Sequence, residues 1–213
     1  MSLKLTDSFG RSINYLRLSV TDRCNLRCIY CMPAEGIPLM PHSDILSYEE
    51  LQAVVQAAAE LGINKIRLTG GEPLVRAELP KLVQMLSRVK GIDEVSLTTN
   101  GTFLKKYALE LKQAGLRRVN VSLDTLKADR FRYITRCGDL KDTLAGIKAA
   151  RDAGLQPLKI NVVVMRGIND DEVTNFAAMT LKEDWHIRFI ELMPLAGMRE
   201  FVPSSEIRQR ITL

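Results

Sequence analysis

Two hydrophobic rhythms alternate along the chain. Short runs with a period of two predict strands at Tyr15–Val20, Lys65–Thr69, Glu94–Thr99, Arg118–Ser122, Lys159–Val164 and Ile187–Leu192. Between them lie stretches of helical period. Tyr48–Leu61 carries an apolar stripe of Leu51, Val54, Val55, Ala58 and Leu61, starts at Ser47 and Glu50 with capping-box spacing, and stops at Gly62. Leu79, Leu82, Val83, Leu86 and Val89 make a second helix ending near Gly91. Phe103–Ala114 makes a third, stopped by Gly115. Phe131 and Ile134 indicate a short helix, and Leu140, Leu144 and Ile147 another that Gly154 ends. Asn169 and Glu172 begin one more, running to about Leu181. Six strands, each but the last followed by helix, give an α/β chain with a parallel sheet and helices on an outer face. Nothing reads as a linker, so 1–213 is expected to be a single domain.

The strands are apolar on one face only. Leu16, Leu18 and Val20 oppose Tyr15, Arg17 and Ser19, and Ile66 and Leu68 oppose Lys65, Arg67 and Thr69. Val95 and Leu97 oppose Ser96 and Thr98. Val119, Val121 and Leu123 oppose Asn120, Ser122 and Asp124, and Ile160, Val162 and Val164 oppose Lys159, Asn161 and Val163. A doubly wound sheet is covered on both faces and is apolar throughout. A closed eight-stranded barrel fills its interior with branched apolar side chains. A polar inner face instead predicts an open or partial barrel with a wet cavity, the alternative being a solvated sheet face. The cations on that face, Arg17, Lys65, Arg67, Lys159 and Arg188, favour an anion such as a polyphosphate.

The net charge of +5 carries no Lys/Arg block and few aromatic residues accompany it, so a nucleic-acid partner is not expected. The N-terminus has no apolar signal core. No apolar run approaches the ~20 residues that span a bilayer, so a cytoplasmic location without membrane contact is expected. Four cysteines in such a chain are metal or catalytic ligands before they are disulfides.

Three of the four lie within eight residues, in Cys24-Asn-Leu-Arg-Cys28-Ile-Tyr-Cys31, directly after the first strand. Thiolates at such spacing suit zinc or an iron–sulfur cluster. A structural zinc site needs a fourth ligand, and the candidates Cys137, His42 and His186 are all distant in sequence. On a [4Fe–4S] cluster, three thiolates leave one iron open. A second motif, Thr69-Gly70-Gly71-Glu72-Pro73, follows the second strand and by itself reads equally as a tight turn. Asn100-Gly101 and Ser122 also have bland readings, as a turn and a polar strand residue.

The CxxxCxxC motif, with aromatic Tyr30 before its last cysteine, resembles the signature of the radical S-adenosylmethionine (SAM) superfamily. The stretches Tyr15–Ser19, Arg67–Pro73, Thr98–Gly101, Asn120–Asp124, Asn161–Met165 and Phe189–Pro194 are similar to the MoaA family of GTP 3′,8-cyclases, which open molybdenum cofactor biosynthesis. The resemblance implies a partial (β/α)₆ TIM-like barrel. It also implies a [4Fe–4S] cluster on Cys24, Cys28 and Cys31, whose open iron chelates SAM, and a lyase reaction begun by a 5′-deoxyadenosyl radical that takes the C3′ hydrogen of GTP. Tyr30, Gly70, Gly71, Glu72, Ser122 and Met193 fall at SAM positions. Arg17, Arg67, Thr98 and Lys159 fall at GTP positions, with Lys65 and Arg188 as phosphate partners. An external electron donor is implied, and a homodimer is left open. The family's second [4Fe–4S] cluster, on CxxC and a later cysteine, has no ligands here. That makes the chain resemble the catalytic front part, without the C-terminal second-cluster domain. The alternatives are a peptide-modifying radical SAM enzyme, an electron-carrying iron–sulfur or zinc module and, last, a nucleic-acid module.

Overall fold

The computed structural model describes residues 5–193 and 197–211; Pro194, the end of one resembling stretch, lies outside them. Six parallel strands form one sheet in chain order: β1 (Tyr15–Ser19), β2 (Lys65–Thr69), β3 (Glu94–Thr99), β4 (Arg118–Ser122), β5 (Leu158–Val164) and β6 (Trp185–Glu191). Each neighbour follows its predecessor, so β1 and β6 are the two edges of a partial barrel. The helices are α1 (Tyr48–Glu60), α2 (Leu79–Ser87), α3 (Leu104–Gln113), α4 (Ala128–Thr135), α5 (Leu140–Asp152), α6 (Val173–Met179) and α7 (Ser204–Ile211). Among the described residues, none is long and apolar enough to cross a membrane.

Strand alternation decides the layering. Ile66, Leu68, Val95, Leu97, Val119, Val121, Ile160 and Val162 pack into one core with Leu51, Val55, Leu82, Leu86, Leu104, Leu111 and Ile147 of the helices. The intervening polar residues therefore face the opposite, concave side. The register aligns them in rows. Arg17 lies opposite Arg67, Arg67 opposite Ser96, and Ser96 opposite Arg118. Two residues further along, Thr98 lies opposite Asn120, Asn120 opposite Lys159, and Lys159 opposite His186. The next row holds Ser122, Asn161 and Arg188.

The capping box at α1 forms in full, with Glu50 N–H donating to Ser47 Oγ at 3.1 Å and Ser47 N–H to Glu50 Oε2 at 2.7 Å. Its buried stripe is narrower than the periodicity predicts, since Val54 is 44% and Leu61 40% exposed. A helix lies against a flat sheet along a line, so flanking apolar positions stay wet. Leu144 on α5 is exposed for the same reason. β6 begins two residues earlier than expected. A helix also follows it: α7 buries only Ile207, which leaves no apolar period to read. Asn169 and Glu172 do begin helical structure: Asn169 caps a 3-10 turn, Asp170–Glu172, that runs into α6, which Glu172 caps and which ends at Met179 rather than Leu181.

Candidate active site

The cysteine loop leaves β1 and continues beside the Gly-Gly-Glu turn that leaves β2. Gly71 N–H donates to Thr21 O at 2.7 Å and Glu72 N–H to Arg23 O at 2.8 Å. The two glycines permit this approach: a Cβ on Gly70 would stand 2.4 Å from Thr21 O, and one on Gly71 2.3 Å from Arg23 O. Their bare sides therefore face protein backbone. Within the loop, Cys31 N–H donates to Cys28 O at 2.9 Å, a turn that sets the Cys28 and Cys31 thiols beside each other. Their interaction lowers the Cys31 pKa and raises that of Cys28, while burial raises that of Cys24. Leu26 N–H points at Cys24 Sγ, 3.4 Å away. Two guanidinium groups fix the loop from behind. Arg27 donates to Cys24 O at 2.7 Å, and Arg136 donates to Arg27 O and Met32 O at 2.8 Å each.

Three buried carboxylates tie the loops at this end of the sheet to one another. Glu72 accepts from Thr99 Oγ1 and Asn100 N–H, both at 2.7 Å, and from Leu74 N–H at 3.0 Å. Both its oxygens are thus engaged within the protein, and burial raises its pKa. Asn100 continues the chain of contacts to Asn25, beside Cys24, at 2.8 Å. Asp124 accepts from Tyr30 Oη at 2.7 Å and Val163 N–H at 2.8 Å; burial pushes its pKa up to about 6. Glu172 accepts from Thr125 Oγ1 at 2.6 Å, from Leu126 N–H at 2.7 Å and from Arg130. Glu72 belongs to the Gly-Gly-Glu motif, whereas Asp124 and Glu172 stand out only through partners on other elements.

On the concave face, Arg17, Lys65, Arg67, Lys159 and Arg188 have no carboxylate within ion-pair distance among the described residues. Lys159 is buried, and desolvation followed by the like charges of Arg118, Arg188 and Arg67 lowers its pKa. Desolvation likewise lowers that of Arg67. Arg118 is a cation that the sequence reading missed, although it shares the period of Asn120. Glu94 holds it at 2.7 Å. Arg67 Nε, Arg118 Nε, Asn161 Oδ1 and both amide atoms of Asn120 are buried without hydrogen-bond partners. Thr98 lies in the row of Asn120 and Lys159. Ser122 lines a cavity of about 30 Å³ with Cys28, Tyr30 and Asp124. Met193 stands 61% exposed just past β6.

Of the distant ligand candidates, Cys137 lies against the loop, its Sγ 3.4 Å from Asn25 O. His42 lines an outer cavity of about 530 Å³ beside α1, and His186 is exposed on β6. Among the described residues, no three His, Cys, Asp or Glu side chains are arranged to hold one metal ion. Ligands of a single zinc crowd within ~2.3 Å of it, whereas a cluster spreads its thiolates over separate irons.

The family model for the radical SAM superfamily matches residues 18–180. The chain belongs to the radical SAM superfamily. The GTP 3′,8-cyclase of Moorella thermoacetica is 56% identical over 212 residues, and that of Peptoclostridium acidaminophilum 54% over 213. The alignments cover 98% and 97% of this chain but 66% of each relative, so the chain spans about two thirds of the relatives' length. In fold, it is similar to SuiB of Streptococcus suis (TM-score 0.71, 16% identity, 92% of this chain and 45% of SuiB). HydG, a maturase of the [FeFe]-hydrogenase, is also similar (TM-score 0.70, 17% identity, 92% and 47%). Radical SAM proteins use a [4Fe–4S] cluster and SAM. The donor set here fits such a cluster. Three thiols share one loop, a tight turn sets two of them side by side, a backbone N–H is aimed at the third, and the backbone is held by Arg27 and Arg136.

Proposed function

We propose that this chain is the cluster-, SAM- and triphosphate-binding part of a GTP 3′,8-cyclase, a single radical SAM partial-barrel domain over 1–213. Relatives of that name at 56% and 54% identity support the reading. The observation that carries it is the set of concave-face cations Arg17, Lys65, Arg67, Lys159 and Arg188, none with a carboxylate at ion-pair distance among the described residues. Convergent, partly desolvated cations repel one another, and a polyphosphate relieves that repulsion with charge-assisted hydrogen bonds.

In this reading Cys24, Cys28 and Cys31 hold the [4Fe–4S] cluster. Bound there, the cluster and SAM supply a 5′-deoxyadenosyl radical. Tyr30 and Ser122, which share the small cavity with Cys28, face SAM, and Met193 joins them from the end of β6. Gly70, Gly71 and Glu72 serve the SAM site by holding the turn against the cysteine loop. Arg17, Lys65, Arg67, Lys159 and Arg188 grip the GTP triphosphate, with Thr98 beside them. Fixed positions of this kind make catalysis a matter of orientation and water exclusion. Outside the triplet the sequence holds only Cys137, so it offers no ligand set for the family's second cluster. An external electron donor would supply the electron that the bound cluster needs.

The test is anaerobic turnover of the reconstituted protein with SAM, dithionite and GTP deuterated at C3′, against a panel of peptides. Deuterium in the 5′-deoxyadenosine supports the reading. Peptide-dependent 5′-deoxyadenosine without a GTP effect replaces it with a peptide-modifying activity.

A further inference from the structure

We infer that Asn120 reads the cis-diol of a ribose, making it a specificity residue of the nucleotide site; this rests on the GTP reading above. Asn120 is 1% exposed on the middle of β4, and neither its amide nitrogen nor its carbonyl oxygen has a hydrogen-bond partner. Unpaired buried amides are costly, and both ends of one side chain are seldom left so without a ligand.

The neighbours say what that ligand offers. Along β4, side chains on the concave face fall two residues apart: Arg118, Asn120, Ser122. Together they span about 13 Å of strand. Arg118 lies in the row of Arg17 and Arg67, two of the triphosphate cations, while Lys159 and Arg188 of that set lie in the rows of Asn120 and Ser122. Ser122 lines the cavity with Cys28 and Tyr30, the SAM end. Asn120 sits between, flanked in register by Thr98 and Lys159. In GTP the sugar lies next to the triphosphate and, in this reading, carries the reacting C3′ hydrogen, so it falls between the Arg17–Arg67 row and the SAM side. Phosphate oxygens only accept, so they satisfy Nδ2 and leave Oδ1 unpaired. Two vicinal hydroxyls satisfy both, one accepting from Nδ2 and the other donating to Oδ1. Asn161 Oδ1, buried and unpartnered in the row nearer the mouth, offers a further acceptor. Lys159, the register neighbour of Asn120 on β5, is itself buried beside this floor.

The experiment titrates the cluster-reconstituted chain calorimetrically with GTP, 2′-deoxyGTP, 3′-deoxyGTP and inorganic triphosphate. The wild type is expected to bind each deoxy analogue about tenfold more weakly than GTP. Asn120→Leu, similar in volume and free of the unpaired amide, is expected to bind GTP and both analogues alike, about tenfold below wild-type GTP. Its affinity for inorganic triphosphate should be unchanged. Asn120→Ser serves as the second variant if Leu misfolds, and should discriminate weakly. Equal binding of GTP and both analogues by the wild type overturns the inference while leaving the GTP site in place, since a water then satisfies the amide. Parallel loss of inorganic triphosphate in Asn120→Leu overturns it as well, by making Asn120 a structural residue. Triphosphate binding without any gain for GTP, or no binding of either, removes the nucleotide reading itself.

Discussion

Gly71→Ala separates a packing role from a ligand-contact role at the Gly-Gly-Glu turn. The added Cβ would stand 2.3 Å from Arg23 O and 2.6 Å from Arg23 C, and both are backbone atoms of the residue before Cys24. An ordinary carbon–oxygen contact is ~3.3 Å or more, so turn and loop must part by about 1 Å. That separation breaks the 2.8 Å bond from Glu72 N–H to Arg23 O. Loss of that bond costs about 1 kcal/mol, and overpacking adds about 1–3 kcal/mol. The expected total is therefore roughly 2–4 kcal/mol, or about 1–2 M in the urea midpoint at a typical slope. Urea unfolding of the iron-free protein reads this directly, and iron content after reconstitution should fall because the displaced segment carries Cys24. A Gly71→Ala protein with the wild-type midpoint and full iron, weakened only toward SAM, would refute the packing argument and make the glycine a pure ligand contact.

Further expectations rest on single interactions. Lys159→Ala and Arg67→Ala should each weaken GTP by about 1.5–3 kcal/mol in calorimetry, the range for a hydrogen bond to a charged group; unchanged affinity removes that residue from the site. Glu172→Ala leaves Thr125, Leu126 and Arg130 without their acceptor and should cost about 3 kcal/mol of stability in urea unfolding, with a loss under 1 kcal/mol contradicting the clamp. Burial raises the Asp124 pKa from 3.8 to about 6, so between those values the folded protein holds a proton that the unfolded chain has released. Its contribution to stability is complete below about pH 4 and fades as pH rises through 6. Relative to Asp124→Asn, the wild type should lose up to about 3 kcal/mol between pH 4 and pH 6, and parallel stability profiles would contradict the raised pKa.

Much of the fold was legible because strand period and burial are the same fact seen twice. Leu16 and Leu18 against Tyr15 and Arg17 already told which face meets helices, and the polar opposite face pointed to a partial barrel, whose strands are observed in chain order. The boundaries of β6 and the existence of α7 were not legible, because exposed edge elements lack a strong apolar period. In the site, the cysteine triplet and the cation face were readable from local spacing. The period of β4 also contained Arg118, but its partner Glu94 sits on another strand and only the register joins them. Asp124 read as a polar strand residue, and Glu172 and Asn169 as the start of a helix; their tying roles depend on partners distant in sequence, such as Tyr30 and Val163 for Asp124 and Thr125 for Glu172. Gly70 and Gly71 read by themselves as a tight turn and by resemblance as SAM positions; the space a Cβ would fill beside them holds the cysteine loop, which spacing alone does not reveal.

The most direct test of the account is the electron paramagnetic resonance spectrum of the anaerobically purified, dithionite-reduced protein with and without SAM. The account predicts a reduced [4Fe–4S] signal that shifts when SAM is added, as an open iron takes up a ligand. A cluster signal that SAM leaves unchanged, or a protein carrying zinc and no iron, would contradict it.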